Sequence, residues 1–266
     1  MHTPFQGPAA EVARFEQKPT RGWNGHDNAV YAAMLQRLDD SIGRITETLR
    51  STGLDANTLL VFMSDNGGVM YTSPLATNNA PFKGGKALHY EGGIRVPLIF
   101  RWAGRVPAGK WCDVPVDCND LFPTILDLAG YDVRPHYAAG KIDGRSLAPL
   151  FGDLANAKKG YPRDTHYWHY PLNVIVKDPD DGQPSAPHST IRVGDWKLIV
   201  DGGGDRVELF DLAADPAEKT NLAVQEPARV KAMRLRLDAH ARTAAPSRQA
   251  PKPPGFVAPA VWGEPS

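Results

Sequence analysis

The sequence has few cysteines, no long apolar run and no excess of either charge. Its 266 residues include 2 cysteines, which neither define a disulfide framework nor indicate a redox compartment. The longest aliphatic runs are about five residues, whereas a membrane-spanning helix needs about twenty, so no transmembrane helix is expected. The 30 basic residues balance 30 acidic ones, which excludes a global field that would attract nucleic acid or an anionic membrane. Any anion binding must therefore be local.

An export signal is also not expected within these residues. Met1 is followed directly by His2-Thr3-Pro4, without the basic and apolar regions of a secretory signal. The chain does have a hydrophobic fraction of 42 %, which provides a core for one large domain, or for one domain and a small one.

The first half of the chain predicts a layered α/β architecture. Apolar residues recur every three or four positions over residues 28–49, which predicts a helix that Gly53 ends. Residues 58–64 show little polar alternation and predict a buried strand of a parallel sheet covered on both faces. A second strand is expected at 94–100 and a second helix at 120–129.

After about Phe151 the pattern changes to short strands separated by turns. Strands are predicted at 166–170, 190–193, 196–200 and 207–212. Hairpin connections are predicted at 194–195 and 201–205, and a helix at 228–241 should cover one face of this antiparallel sheet. The side chains expected to face inward from that helix are Val230, Met233, Leu237 and Ala241.

These patterns divide the chain into three parts. Residues 1–155 form part of an α/β domain, and residues 156–243 form a small α+β domain. Residues 244–266 are rich in Pro and Ala without periodicity, so an extended or disordered tail is expected.

The first chemical candidates lie where the predicted strand ends. The apolar run at 59–63 stops at Ser64-Asp65-Asn66-Gly67-Gly68. Asn-Gly is a common turn dipeptide, so a plain turn is the structural alternative. The pair ends a buried strand, however, and ligands of open α/β sheets bind outside the carboxyl ends of strands. Because a carboxylate beside a carboxamide offers hard oxygen ligands, Asp65 and Asn66 are candidate metal ligands.

Lys86 lies about twenty residues later on a glycine-rich loop and offers a cation for an anionic substrate. The structural alternative is a surface lysine. A phosphate-binding P-loop does not fit, because Ala80 occupies its first glycine position and Ala87 its Ser/Thr position.

These residues and their spacing resemble the sulfatase family, hydrolases of sulfate esters. The string at 84–97, Gly-Gly-Lys-x-x-x-Tyr-Glu-Gly-Gly-x-Arg-Val-Pro, is similar to a sulfatase signature nearly letter for letter. The resemblance covers residues 1 to about 240 in the order that the family uses. It implies a partial alkaline-phosphatase-like α/β domain, a small C-terminal sheet with a helix, and hydrolysis of a sulfate monoester.

The resemblance also implies roles for single residues. Asp65 and Asn66 are expected to bind a calcium ion that polarises the sulfate oxygens. Lys86 matches the lysine that contacts the sulfate group and the catalytic residue. His2 lies in a segment that looks like the family's His-x-Pro, whose histidine binds the sulfate and is a candidate proton donor to the leaving oxygen.

The C-terminal part resembles the family in two further places. Residues 166–171 are similar to a segment that leans over the substrate pocket, which makes Trp168 and His169 candidate substrate contacts, with packing in the hairpin as the alternative. Leu172-Asn173 departs from the His-Tyr that often follows, so the substrate preference is not carried over. Residues 189–222 look like the closing hairpin of the family and are assigned a folding role, and Glu91 and Arg95 are interpreted as structural.

The nucleophile of the family has no counterpart in this chain. In sulfatases a cysteine or serine of Cys/Ser-x-Pro-Ser-Arg is converted to formylglycine, whose hydrate attacks sulfur. Neither Cys112 nor Cys118 lies in such a motif, and Ala244 stands at the nucleophile position before Pro246-Ser247-Arg248. Two candidate metal ligands also fall short of the roughly six to eight oxygens that calcium takes. We therefore expect the chain alone to be inactive.

Two other functions stay open at this point. One is a phosphatase or phosphonate hydrolase of the same superfold, and the other is a noncatalytic sugar- or partner-binding remnant. The expected partners are a sulfated small molecule or glycan and a complementary N-terminal chain that covers exposed core, with no nucleic acid and no membrane. The family implies a periplasmic, extracellular or lysosomal location.

Overall fold

A computed structural model of the chain describes residues 2–18, 26–70, 72, 75–140, 142–152, 161, 163–171, 176, 182, 187–201, 204 and 206–244. The helices are α1 (Ala9–Glu16), α2 (Ala29–Ser51), α3 (Glu91–Ile94), α4 (Leu121–Leu128), α5 (Arg134–Ala138) and α6 (Pro227–Thr243). The strands are β1 (Leu60–Met63), β2 (Leu98–Arg101), β3 (Thr165–Tyr170), β4 (His188–Val193), β5 (Trp196–Asp201) and β6 (Val207–Asp211).

The long helix α2 confirms the periodicity of residues 28–49. Asn28 caps its N-terminus by accepting a hydrogen bond from the Tyr31 backbone N–H at 2.9 Å. Gly53 follows the C-terminus with φ +73°, a conformation that glycine adopts readily. Helix α1 packs against α2 through the ion pair of Glu11 with Arg37.

The first sheet corrects the prediction of a buried parallel strand. β1 pairs antiparallel with β2, from Leu60 opposite Arg101 to Met63 opposite Leu98. Every residue of β1 is half-buried, and Ile99 of β2 is 57 % exposed, so the described residues do not cover both faces of this sheet. The apolar run therefore indicated a strand correctly, but its sheet partner and its burial depend on contacts that a short apolar run does not encode.

The strand predicted at 94–100 is wrong in its first part. Residues 91–94 form helix α3, because the backbone N–H groups of Gly93 and Ile94 both donate to the Tyr90 carbonyl, at 2.8 and 3.3 Å. The strand begins at Leu98, after Pro97. Helix α4 matches the prediction for 120–129 and is followed by Gly130 at φ +88°.

The second sheet confirms the predicted antiparallel unit. Its strand order is β3-β4-β5-β6 with all neighbours antiparallel, and Gly194-Asp195 connects β4 to β5. Helix α6 covers one face, where the core includes Ile191, Leu198, Leu209, Met233 and Leu237. Ala241 is exposed, contrary to the prediction, because the buried contacts of the helix end at Leu237.

The other face of the second sheet packs against the glycine-rich loop. Leu88 and Tyr90 from the loop join Ile199, Phe210 and Leu212 in one buried cluster. Successive residues of a strand point to opposite faces, which is why Ile199 faces the loop while its neighbour Leu198 faces α6. The loop that carries Lys86 is thus held by the C-terminal sheet.

Three further expectations concern membrane-spanning helices, the cysteines and the C-terminal tail. Within the described part of the chain, no helix combines the length and the apolar character that crossing a bilayer requires. Cys112 and Cys118 are exposed free thiols. The expected extended tail lies outside the described residues from position 245 onward.

Candidate active site

The end of β1 turns sharply before the predicted metal ligands. The Ser64 backbone N–H still donates to the Pro97 carbonyl at 3.2 Å, and its hydroxyl donates to the Asn66 carbonyl at 2.9 Å. Asp65 is exposed and Asn66 is half-buried. The predicted turn after the strand is present, and it presents the Asp65 side chain to solvent.

Glycines let the segment after β1 lie directly against the glycine-rich loop. The Gly67 N–H donates to the Gly93 carbonyl at 2.8 Å, and a Cβ on Gly67 would lie 1.8 Å from the Gly92 carbonyl oxygen. A Cβ on Gly92 would in turn lie 2.2 Å from the Gly84 carbonyl oxygen. Side chains at these positions would force the two backbones apart, so the close approach requires glycine.

Asn79 joins the two segments, although nothing in its sequence context predicts this role. Its Oδ1 accepts from the Gly68 N–H at 2.9 Å, while its Nδ2 donates to the carbonyls of Gly68 at 3.0 Å and Gly84 at 3.1 Å. Its neighbours Asn78 and Ala80 lie in a segment that carried no recognisable signal. A side chain that satisfies three backbone groups stabilises a loop that has little regular secondary structure.

Lys86 lies beside the segment that carries Asp65 and Asn66. Its backbone N–H donates to the Gly68 carbonyl at 3.1 Å, so Lys86 is tied to a residue only two positions after Asn66. The side chain is half-buried, and within the described residues its ammonium forms no hydrogen bond or ion pair. This backbone contact thus brings together the segments of three predicted site residues, Asp65, Asn66 and Lys86.

His2 lies in an exposed position at the start of the chain. Its Nδ1 lies 2.9 Å from the Thr3 carbonyl oxygen, and its described hydrogen bonds involve Thr3 alone. The described contacts therefore do not join His2 to Lys86 or Asp65, and its role stays a prediction.

Trp168 and His169 lie next to each other on β3 and point to opposite faces of the sheet. Trp168 is half-buried and stacks on His166, with ring centroids 6.0 Å apart. His169 is exposed, and its Nδ1 lies 2.8 Å from the Ser189 hydroxyl. The two side chains therefore cannot form one shared platform, and each remains a separate candidate for a substrate contact.

His89 is a buried group of the loop that sequence reasoning missed. It is 8 % exposed, its Nδ1 lies 2.9 Å from the Thr190 hydroxyl, and its ring meets His188 edge-to-face at 4.1 Å. Burial lowers the pKa of His89 to about 2, with smaller contributions from the charges of His188, Lys197 and His169. The ring is therefore neutral at physiological pH.

A partly buried polar cluster anchors the start of β3 to the N-terminal part. Arg163 contacts Asp117 at 2.7 Å and Asp120 at 2.9 Å, and the Tyr161 hydroxyl donates to Asp120 at 2.6 Å. Burial acts to raise the pKa of Asp117, but the His166 hydrogen bond and the Arg163 charge hold this pKa below its usual value. Burial and the hydrogen bond to Asp120 raise the pKa of Tyr161. The cluster fixes the strand that carries Trp168.

The donor set at the strand end fits part of a hard-cation site. Asp65 offers an exposed carboxylate and Asn66 an amide oxygen, both of the oxygen type that calcium takes. Among the residues that the structure describes, no group of three or more His, Cys, Asp or Glu side chains forms a metal cluster. Complete coordination would therefore need ligands beyond these two residues.

Comparisons with known proteins identify relatives across the whole described chain. Residues 1–131 match the family model described as Sulfatase, and residues 84–242 match N-sulphoglucosamine sulphohydrolase, C-terminal. The chain is 31 % identical over 211 residues to a sulfatase of Formosa agariphila, which covers 76 % of this chain and 36 % of the relative. It is 30 % identical over 260 residues to human steryl-sulfatase, covering 87 % of this chain and 43 % of the relative. The chain thus spans less than half the length of these relatives.

Three similar solved structures likewise match most of this chain but less than half of their own length. The crystal structure of Ps i-CgsB in complex with k-i-k-neocarrahexaose matches with a TM-score of 0.69 and 30 % identity, over 90 % of this chain and 47 % of that one. The structure of BT4656 with D-glucosamine-2-N,6-O-disulfate has a TM-score of 0.60 and 26 % identity, over 88 % and 45 %. The phosphonate monoester hydrolase SpPMH from Silicibacter pomeroyi has a TM-score of 0.56 and 25 % identity, over 81 % and 40 %.

Proposed function

The chain belongs to the sulfatase family, and we propose that residues 64–68 and 84–86 form the sulfate-binding half of a sulfuric ester hydrolase site. Its mixed helices and antiparallel sheets fit a partial alkaline-phosphatase-like α/β fold. The observation that carries the proposal is the hydrogen bond from Lys86 N–H to the Gly68 carbonyl, at 3.1 Å. It ties a half-buried lysine to the segment that holds a carboxylate and a carboxamide.

Each residue has a chemical task in this proposal. Lys86 binds the anionic sulfate group and stabilises the charge that develops on its oxygens during transfer. Asp65 and Asn66 would hold part of the coordination sphere of a calcium ion, which would supply a Lewis acid for the sulfate oxygens. His2 gives a proton to the leaving oxygen, and this assignment depends on the family resemblance of the His2-Thr3-Pro4 segment.

We propose further that the nucleophile and the remaining metal ligands come from sulfatase sequence outside these 266 residues. Cys112 and Cys118 lie outside the modification motif, and the chain spans 36 % of the Formosa agariphila relative and 43 % of human steryl-sulfatase. A complementary segment would also cover the exposed faces of β1 and β2. By itself the chain is then expected to be inactive.

The substrate class in this proposal is a sulfated glycan. Two similar structures are complexes with a neocarrahexaose and with a disulfated glucosamine. In this chain Trp168 lies on the face of the second sheet that also carries Thr190, the partner of His89 in the glycine-rich loop. An aromatic ring on that side offers a surface on which a sugar ring can stack.

A reconstitution assay tests the proposal. The purified chain should not hydrolyse 4-nitrophenyl sulfate, whereas its complex with the N-terminal half of the Formosa agariphila sulfatase, carrying formylglycine, should do so in calcium. Lys86→Ala should lower kcat/KM of that complex at least about 100-fold, because one charge-stabilising group is lost. The matched change of exposed Lys110 to Ala should leave it unchanged.

Three results would contradict parts of the proposal. Turnover by the chain alone would disprove the inactivity. Faster hydrolysis of 4-nitrophenyl phenylphosphonate than of the sulfate would favour the phosphonate hydrolase class, to which SpPMH belongs. Full activity of Lys86→Ala would remove Lys86 from the site.

A further inference from the structure

Lys197 is a lysine buried completely inside the C-terminal sheet. It lies on β5 with 0 % of its side chain exposed, although lysine is almost never fully buried unless it is paired. Its ammonium lies 3.0 Å from Glu91 Oε1 and 2.8 Å from Glu218 Oε1. Both carboxylates are themselves buried, with side chains 2 % and 0 % exposed.

The three side chains close a ring with the backbone of the glycine-rich loop. Besides its ion pair with Lys197, Glu218 accepts a hydrogen bond at Oε2 from the Glu91 backbone N–H, at 2.6 Å. Glu218 has φ +54°, a left-handed conformation that costs free energy in a residue other than glycine. Its turn is built by Asp215, whose carboxylate accepts from the backbone N–H groups of Lys219 and Thr220.

The excess negative charge of the ring faces two arginines at its edge. Two carboxylates and one ammonium leave one negative charge, and Glu91 Oε2 lies 3.7 Å from Arg95 and 3.8 Å from Arg192. Buried ion pairs of this kind add little stability compared with well-packed apolar side chains, because desolvation offsets their attraction. What they do supply is a fixed geometry, since a displaced partner leaves a buried charge without compensation.

A short series of backbone hydrogen bonds leads from the ring to Lys86. Gly92, next to Glu91, donates to the Lys83 carbonyl at 2.8 Å, and Gly93 accepts from Gly67 at 2.8 Å. Gly68, the neighbour of Gly67, accepts from the Lys86 N–H at 3.1 Å. The backbones at Gly67 and Gly92 are in such close contact with their neighbours that an added Cβ would lie 1.8 and 2.2 Å from a carbonyl oxygen, so the loop has little room to shift independently of Glu91.

We propose that Lys197, through its ion pairs with Glu91 and Glu218, is a positioning residue that holds Lys86 in place for the sulfate group. The role of this positioning in sulfate binding rests on the proposed function of Lys86. The structural coupling between Lys197 and the Lys86 loop does not depend on catalysis. The motif segments 189–222 and 84–97 are thereby linked, because Lys197 of the first pairs with Glu91 of the second.

Amide hydrogen exchange of the full 266-residue chain, followed by NMR, tests this coupling. In Lys197→Met, which keeps the length of the side chain, the N–H groups of Lys86 and Gly67 should exchange at least about tenfold faster than in the wild type. Met233→Ala, which weakens the core under α6, should change these two rates less than about twofold. The exposed control Lys231→Met should change neither.

Unchanged exchange at Lys86 and Gly67 in Lys197→Met would overturn the inference, as would an equal acceleration in Met233→Ala, which would indicate loss of global stability only. If Lys197→Met does not fold, Glu218→Gln decides. It should accelerate the same two amides at least about threefold, and an unchanged rate overturns the proposal.

A titration with sodium sulfate separates this inference from the proposed function. The Lys86 resonances of the wild type should shift with added sulfate, and those of Lys197→Met should shift at concentrations at least about tenfold higher. Exchange that accelerates as expected without any sulfate-induced shift would support the positioning inference and contradict the sulfate-binding role of Lys86.

Discussion

The two sheets of the molecule differ in how completely their faces are covered. In β5 and β6 the inner residues are buried, because α6 packs on one face and Leu88 and Tyr90 pack on the other. In β1 and β2 every residue is half-buried or exposed. A two-stranded sheet is marginally stable unless other elements cover it. The comparison shows that, among the described residues, both faces of the second sheet are covered at β5 and β6, whereas the first sheet is only partly covered.

The glycine-rich loop packs against the second, fully covered sheet, although in the chain it follows β1 of the first sheet. His89, Tyr90 and Glu91 contact Thr190, Glu208 and Lys197, which lie on β4, β6 and β5. The candidate site therefore lies where a fully packed region meets a partly covered one. The following predictions test that difference.

The largest effect on stability is expected from acid, through His89, which lies buried between the glycine-rich loop and β4. Because the pKa of His89 is about 2 in the folded chain and 6.5 is its ordinary value, only the unfolded chain binds this proton between those pH values. The stabilising contribution of neutral His89 to the free energy of unfolding is fully present above pH 6.5. Below that pH it falls by about 1.4 kcal/mol per pH unit, or by about 4 kcal/mol at pH 3.5.

Urea unfolding of the wild type and of His89→Gln over that pH range measures the contribution, since other acid-sensitive groups cancel in the difference. The free energy of unfolding of His89→Gln should depend less on pH. The exposed control His2→Gln, whose described hydrogen bonds involve only the neighbouring Thr3, should keep the wild-type dependence. Parallel curves for His89→Gln and the wild type would contradict the prediction.

The next effect compares the two sheets directly. Leu209→Ala removes a fully buried side chain of β6 and should lower the free energy of unfolding by about 3 kcal/mol. Ile99→Ala on β2 removes a side chain that is 57 % exposed and should cost less than about 1 kcal/mol. Equal losses, measured by urea denaturation, would show that β2 is covered as well as β6 is.

The smallest of the three effects concerns the close approach of the two loops. Gly67→Ala should destabilise the chain by about 2 kcal/mol, because its Cβ would meet the Gly92 carbonyl oxygen at 1.8 Å. Gly43→Ala, in the middle of α2 with nothing within 4 Å of its Cβ, should stabilise it by about 0.5 to 1 kcal/mol. Thermal denaturation of both variants measures the contrast, and a stabilising Gly67→Ala would show that the loops do not pack as described.

Much of the fold followed from local patterns. The helix at 28–49 and the four C-terminal strands were predicted from hydrophobic periodicity and turn residues, since these elements contain their own amphipathic signal. The pairing of β1 and the start of β2 were predicted wrongly. An apolar run of five residues does not encode which strand it pairs with or whether both its faces are covered.

The candidate site was predictable in part. Asp65, Asn66 and Lys86 were predicted from motif spacing, and the structure brings their segments together. The described contacts do not bring His2 to them, and Trp168 and His169 point to opposite faces, which the alternation of strand side chains already requires. Asn79 and His89 were missed, because neither residue stands out by type or spacing until the fold buries it.

The sequence by itself determined the family, the long helix α2, the order of the four C-terminal strands and the glycines that permit a close loop contact, because these depend on neighbours along the chain. Only the tertiary structure decided that Lys197 pairs with Glu91 and Glu218, residues separated by 106 and 21 positions from it. A lysine and two glutamates are ordinary surface residues in a sequence. Burial in one place removes their water and makes each depend on the others, and that dependence exists only in the folded chain.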